Sequence, residues 1–579
     1  MNLKNTITFL ILTILSTQLK AQRYPATYFT SPLDTVLVLE GTFGEIRSNH
    51  FHSGIDLSTY QSEGMEVHAA ADGYVSRIKI SAGGFGKALY ITHPNGLVTV
   101  YAHLTKFRED IQKMVLTNQY EQKSYEVELF PKEIKITKGE VIALSGGTGD
   151  AEGPHLHFEI RDGLTEEPIN PLFFGFPIED TIAPIITKVR IFPVAGQGIL
   201  NTTDTAATFV AVNWFNELDD TRVKNEYTIT SPDFNKVSGL IGFGIETTDH
   251  MENSDATLGI YSVQLKVDSN IVYEFKMDRF NFNDSRYVNA HIDYRSMILE
   301  NQVIQQCFRL PGNHLKIYPD LSKNGYFNFT EDRTHNIEFL VKDFNGNSST
   351  CHFNLISHTL LTEFTYQPQP KGVTISDEKG TAIHKADIDV VISSGAVYDT
   401  YRFSESEFSP NVNLIAKVFH VGDRTVPIHT SIAIGIKPLH LPDSLKSKAI
   451  LVSVDEYGFY ESEGGNWKGD FLTANVRHFG DFTITIDTVP PTIVKEYYPA
   501  DQNTSRGLVV QFKIGDNLSG IKNYSATVDG KWILMEFNKH ESLITGDIEN
   551  IPQNETHQIE VTVTDEKGNV AKLSDTFFY

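Results

Sequence analysis

Short apolar runs rich in Val, Ile, Thr, Tyr and Phe recur along the chain, separated by Gly, Pro, Asn and Asp, a pattern that predicts strands and tight turns. Between residues 35 and 171, Asp72-Gly73 divides EVHAA from YVSRIKI, and Pro94-Asn95-Gly96 divides ALYITH from LVTVYAHL. Both junctions predict hairpins, because Asp-Gly and Asn-Gly tolerate positive φ. Lys138-Gly139 predicts a further turn before EVIALSGG. One stretch breaks the pattern: in residues 105–122, Phe107, Ile111, Met114, Val115 and Leu116 follow a helical period. The expectation is an antiparallel β domain with a helical insertion.

A weak internal repeat organises the remainder. Asp180-Thr181-Ile182-Ala183-Pro184 is echoed by Asp487-Thr488-Val489-Pro490-Pro491, and VKDFNGNSSTCHF (341–353) by VTDEKGNVAKLSDTF (563–577). Each of the latter reads as strand, Asp-x-x-Gly-Asn turn, strand, as in the last hairpin of an immunoglobulin-like sandwich. At the N-terminus, Lys4, the apolar run Ile7–Leu15 and the small Ala21 before Gln22 have the form of a cleavable signal peptide, too short to span a bilayer. The fold class expected is mainly β. Its division is a signal peptide at 1–21, the antiparallel β domain with its helical insertion at 22–177, a β-sandwich module with a large insertion (236–300) at 178–360, a β-rich module at 361–486 and an immunoglobulin-like sandwich at 487–579.

Composition narrows the function. The 579 residues are 40% hydrophobic and 21% charged, which excludes a disordered or collagen-like chain and a multi-span membrane protein. Lys plus Arg number 49 against 73 for Asp plus Glu, so a nucleic-acid partner is not expected. Two cysteines, Cys307 and Cys351, exclude a disulfide scaffold; a single bridge and two buried thiols remain equally open. No later run predicts a membrane span, so the expected location is exported: periplasm, cell envelope or secreted.

Histidine carries the chemistry. Three stretches stand out: His52-Ser53-Gly54-Ile55-Asp56, Tyr101-Ala102-His103-Leu104 and Gly153-Pro154-His155-Leu156-His157-Phe158-Glu159. On strands, residues two apart share a face, so His155 and His157 oppose Leu156 and Phe158, and His52, Gly54 and Asp56 oppose Ile55 and Leu57. Tyr101 and His103 would likewise share a face, and Gly54 would leave space for a metal ion. Two imidazoles and one carboxylate suit a zinc ion with a fourth position left for water, whose pKa falls from about 15.7 towards about 7 on binding. Further histidines nearby can take a proton or stabilise an oxyanion.

Other residues have plainer readings. His50 is an alternative ligand lacking the His-x-x-x-Asp spacing; His68 and His93 read as structural. Glu159 either orients a ligand or lies on the surface, and Arg47 either binds a substrate carboxylate or is solvated. The acidic runs Glu217–Asp220 and Glu246–Asp255 read as solvated loops.

HSGID, YAHL and GPHLHFEIR, in this order, with VHAAADGYV, GFGKALYITHPNGLVTVYAHL, KGEVIALSGGTG and the Ile-Asn-Pro at 169–171, resemble the lysostaphin/LytM-type zinc metallopeptidases that cut peptidoglycan peptides. The resemblance covers about residues 40–172. It implies that His52, Asp56 and His157 hold zinc, that His155 is the general base or transition-state stabiliser, and that His103 is its companion. It further implies an exported zinc endopeptidase acting on cross-links or stem peptides of bacterial peptidoglycan. The alternative is a non-catalytic envelope factor that binds wall peptides and activates or scaffolds a hydrolase, docking an envelope protein through its C-terminal β modules.

Overall fold

The chain is mainly β, as the alternation of apolar and polar positions predicts. The computed structural model describes residues 24–216, 221–229, 236–320, 322–359, 371–408, 415–497, 508–548 and 551–579. The expected signal peptide and the run Glu217–Asp220 lie outside the described residues. Among the described residues, no helix is long and apolar enough to cross a membrane.

The first domain is built from β1 (Leu39–Gly41), β2 (Ile55–Ser58), β3 (Glu66–His68), β4 (Gly73–Ile80), β5 (Lys87–Thr92), β6 (Leu97–Ala102), α1 (Glu109–Gln122), β7 (Val127–Leu129), β8 (Val141–Leu144) and β9 (His155–Asp162). Its main sheet runs β1-β2-β9-β6-β5-β4-β7. A smaller sheet pairs β8 with β3 and with Lys106–Phe107. The β5–β6 hairpin closes over Pro94-Asn95-Gly96, where Gly96 takes φ 83°. Asp72-Gly73 behaves otherwise: β3 and β4 belong to different sheets, so the chain there crosses between layers instead of folding into a hairpin. Turn chemistry permits a reversal, but strand partners decide where the chain goes.

Apolar burial fixes the register of the central strands. Ile55, Leu57, Leu156, Phe158 and Ile160 are fully buried, each such side chain contributing about 1.5–3 kcal/mol. A slip of one residue would drive the histidines into this core. The helix predicted over 105–122 begins at Glu109 and buries Ile111, Val115 and Gln119, while Lys106–Phe107 is strand. The helix walls a cavity of ≈ 740 Å³ with Lys106–Phe107 and β8, a cavity that none of the five proposed site residues lines.

Beyond the first domain lies a ten-stranded sheet in which Ile185–Leu200 pairs along Lys236–Thr248, and Arg333–Lys342 pairs with Ser348–Ser357. Residues 236–300 supply three of its strands, Lys236–Thr248, Ser262–Val267 and Asn270–Lys276. Two five-stranded sheets and two four-stranded sheets follow, the last pair ending in the hairpin of Thr556–Asp565 and Val570–Phe578. One buried apolar cluster extends from Phe29 to Leu355, joining the first domain to the large sheet. The C-terminal sheets also touch the first domain: Lys87 pairs with Glu536 at 2.8 Å, and the rings of Tyr120 and Trp532 meet edge to face at 5.2 Å. Cys307 and Cys351 are buried free thiols.

Candidate metal centre

Register brings the three histidine stretches together. β9 lies between β2 and β6, with His157 opposite Asp56 on one side and opposite Ala102 on the other. His52 enters just before β2, and His103 just after β6. The remaining alternation places Leu156 and Phe158 in the core, as expected.

Two local expectations need correction. Tyr101 and His103 do not share a face: Tyr101 is buried against Phe158, its hydroxyl accepting the Ala70 N–H at 2.8 Å, while His103 leaves the strand with φ 59°. Gly54 does not leave room for an ion either. A Cβ there would meet the Phe158 carbonyl oxygen at 2.4 Å and His157 Cε1 at 3.0 Å, so glycine admits β9 instead.

His52 Nε2, Asp56 Oδ1 and His157 Nδ1 form a triangle of near-equal edges. His52 lies 3.0 Å from both Asp56 and His157, and His157 lies 2.9 Å from Asp56. All three residues are buried. The outer nitrogens show which electrons face inward. His52 donates its Nδ1–H to the Thr42 carbonyl at 2.7 Å, and His157 donates its Nε2–H to Glu159 Oε1 at 3.0 Å. Each imidazole therefore turns a lone pair towards the Asp56 carboxylate. Three lone pairs at this spacing could hold a metal ion, the edges of about 3 Å being compatible with the roughly 2.0–2.2 Å typical of zinc with nitrogen and oxygen ligands. A proton can supply the positive charge too: burial alone would push His157 down, but the Asp56 and Glu159 carboxylates pull it up to about 9, so a metal ion at this position takes the place of the Nδ1 proton. Burial opposes ionisation of Asp56 too, yet His52, His155 and His157 hold its carboxyl well below the usual range.

Glu159 sits behind this triangle and is fully buried, accepting hydrogen bonds from Ser53 Oγ, Arg161 Nε and His157. Burial raises its carboxyl, and the Arg161 charge with the His157 contact outweighs that, holding it at about 2. Phe85 stacks on the His157 ring at 5.0 Å. Arg47 reaches Asp56 Oδ2 at 3.1 Å and Glu45 at 2.8 Å, so both its contacts are with the domain's own carboxylates.

His155 and His103 flank the triangle. His155 donates Nδ1–H to the Gly153 carbonyl at 2.9 Å, and its Nε2 lies 3.5 Å from Asp56 Oδ1. His103 donates Nδ1–H to the Thr148 carbonyl at 2.7 Å. Their rings meet at 4.7 Å. Burial, with His155 and His157 close by, pushes His103 down to about 3, so it is neutral with a free Nε2 lone pair. His50 is exposed and bonded to the Ser48 carbonyl, His68 to the Gly139 carbonyl, and His93 to the Asp72 carbonyl and Thr99; none joins the site. The carbonyls of Thr42, Thr148 and Gly153, which fix three tautomers, are backbone groups without any side-chain signature in the sequence.

Fold and site together define a β-sheet domain with a buried two-histidine, one-aspartate cluster that could hold a metal ion. Residues 50–171 match peptidase family M23, and residues 374–487 match a Zu5-like domain. The segment 50–171 is thus an M23 peptidase domain of lysostaphin/LytM type. The DD-carboxypeptidase/endopeptidase Mpg of Neisseria meningitidis serogroup B is 36% identical over 126 residues, which cover 22% of this chain and 23% of that protein. The peptidoglycan DD-endopeptidase ShyA of Vibrio cholerae is 29% identical over 133 residues, 23% of this chain and 24% of that protein. The catalytic domain of the antimicrobial peptidase lysostaphin from Staphylococcus simulans aligns at 21% identity with a TM-score of 0.19, over 24% of this chain and 91% of that one. The chain spans about a quarter of the length of the curated relatives it matches.

Proposed function

We propose that this chain is an exported zinc-dependent endopeptidase that hydrolyses peptide cross-links or stem peptides of bacterial peptidoglycan. The observation that carries the reading is the meeting of His52, Asp56 and His157 beside two further histidines whose Nδ1–H groups are both tied to carbonyls. The named activities of Mpg and ShyA support the substrate class.

His52 Nε2, Asp56 Oδ1 and His157 Nδ1 would hold the zinc ion. When bound, zinc supplies Lewis-acid polarisation of the scissile carbonyl and acidifies a water. His155, through Nε2, takes the proton from the attacking water and returns one to the leaving amine. His103, kept neutral with its Nδ1–H tied to Thr148, offers its Nε2 lone pair as an acceptor for the attacking water or for the His155 Nε2–H formed when the proton is taken. Glu159 keeps His157 in the tautomer that turns Nδ1 inward, and the Thr42 carbonyl does the same for His52.

The test is release of soluble muropeptides from purified sacculi, with and without chelator. The wild type should release them, chelator should stop release and added zinc should restore it. His155→Ala should reduce release by about 10²-fold or more while the protein stays folded. Absence of chelator-sensitive release by the wild type would overturn the enzyme in favour of the non-catalytic binding factor.

A further inference from the structure

Three aspartates meet where the peptidase domain abuts the large sheet. Asp180 lies in the Asp-Thr-Ile-Ala-Pro segment, Asp249 directly follows the strand Lys236–Thr248, and Asp343 opens the Asp-x-x-Gly-Asn turn after Arg333–Lys342. One carboxylate oxygen from each lies within 4.8 Å of the other two. Asp343 is well supplied with donors, from the Gly346 and Asn347 N–H groups and Asn347 Nδ2, and Asp180 Oδ1 accepts the Ile182 N–H. Asp249 is different. It is 2% exposed, and its Oδ1 has no hydrogen-bond partner among the described residues. Burial and the neighbouring carboxylates raise Asp249, and burial raises Asp180 and Asp343, which share a hydrogen bond with each other.

A cavity of ≈ 20 Å³ is lined by all three aspartates together with Thr42 of the peptidase domain and Gly259 of the sheet module. That volume accommodates about one water-sized particle. Carboxylates without a counter-charge repel strongly when removed from water, and an unpaired buried oxygen adds its own cost. A small cation in the cavity removes both defects. The donors are all oxygen, which excludes soft metals, and the irregular arrangement suits calcium, which accepts six to eight oxygens flexibly, better than magnesium, which requires a near-ideal octahedron.

The same device recurs in the last module. Asp487, in the second copy of the Asp-Thr segment, meets Asp516 and Asp565, the latter in the second copy of the Asp-x-x-Gly-Asn turn. Here too one oxygen, Asp516 Oδ1, has no partner among the described residues. Positive charge is closer at hand, since Lys448 Nζ reaches Asn569 at 2.5 Å and Lys567 lies near Asp487 and Asp565.

We infer that Asp180, Asp249 and Asp343, all in the module at 178–360, bind a calcium ion that fixes the loop packed on β1 of the peptidase domain, and that Asp487, Asp516 and Asp565 form a weaker copy. The loop following Asp249 grips β1: Ser254 Oγ donates to the Leu39 carbonyl at 2.8 Å, and Gly259 and Thr42 exchange hydrogen bonds at 2.9 and 3.1 Å. Thr42 is the residue whose carbonyl orients His52. The acidic run Glu246–Asp255, read from sequence as a solvated loop, therefore contains one buried candidate ligand.

The test uses the full chain stripped of metals and given calcium chloride alone, followed by calorimetric titration and thermal unfolding. Calcium should bind and, at about a hundred times its Kd, raise Tm by about 5 °C or more. Asp249→Asn keeps the shape and removes a carboxyl whose ionisation burial, Asp343 and Asp180 oppose. It should raise Tm in calcium-free buffer, lose the tighter site and lose most of the calcium-dependent rise. Asp180→Asn should weaken the same site by at least tenfold, whereas Asp516→Asn and His157→Ala should leave it intact. No binding at millimolar calcium, equally tight binding of magnesium, or undiminished calcium binding by both Asp249→Asn and Asp180→Asn would overturn the inference. None of these readings depends on peptidase activity.

Discussion

At the scale of single residues, the site depends on what stands behind its histidines. Glu159 is fully buried between His157 and Arg161. Glu159→Gln leaves the Arg161 charge without its ionised partner, which should cost about 3–5 kcal/mol in chemical denaturation. It should also lower zinc affinity about 10–100-fold in a competition titration. Gly54→Ala should cost about 1–3 kcal/mol, because the new methyl meets the β9 backbone and must displace it; comparison of urea midpoints checks this. Asp56, His155 and His157 were legible through their spacing on strands, whereas His52 and His103 stand just outside the strands and were read from their motifs. The left-handed turn at His103 was not legible, since a non-glycine positive φ has no reliable sequence signature. The core position of Tyr101 was missed for the same reason: the strand period holds only up to Ala102.

Among elements, the short helix Val288–His291 carries a titratable plug. His291 is fully buried against Phe275 and Phe51, the latter next to His52 in sequence. Burial pushes its imidazole down to about 4. The unfolded chain takes up the proton near pH 6.5 and the folded chain only near pH 4, so this group's contribution falls as pH drops through that window and is level below it. The loss should amount to about 3 kcal/mol at most. Denaturation midpoints measured between pH 7 and pH 4 should fall in the wild type, and His291→Phe should flatten this part of the profile. Strands, the β5–β6 hairpin and the helix were readable from periodicity and Asn-Gly chemistry. The crossing at Asp72-Gly73 was not, because the same dipeptide serves a hairpin or a change of sheet, and long-range pairing decides.

For the whole molecule, contacts far apart in sequence hold the peptidase domain in its setting. Lys87 is nearly buried, and Glu536, from the C-terminal sheets, supplies its counter-charge. Glu536→Gln should lower Tm and reduce stability by about 1 kcal/mol, the carboxylate being partly exposed and the pair correspondingly screened. The repeat of Asp-Thr and Asp-x-x-Gly-Asn segments was visible in the sequence, but its consequence was not. Three aspartates separated by up to 163 positions become neighbours only through the pairing of the large sheet.

The central claim is that three separated pieces of chain hold one catalytic metal ion, and its most direct test is elemental analysis of zinc in the purified full chain and its variants. Wild type and His155→Ala should each carry about one equivalent, while His52→Ala and Asp56→Asn should carry little. Full occupancy in both ligand variants, or none in the wild type after incubation with zinc, would contradict the account.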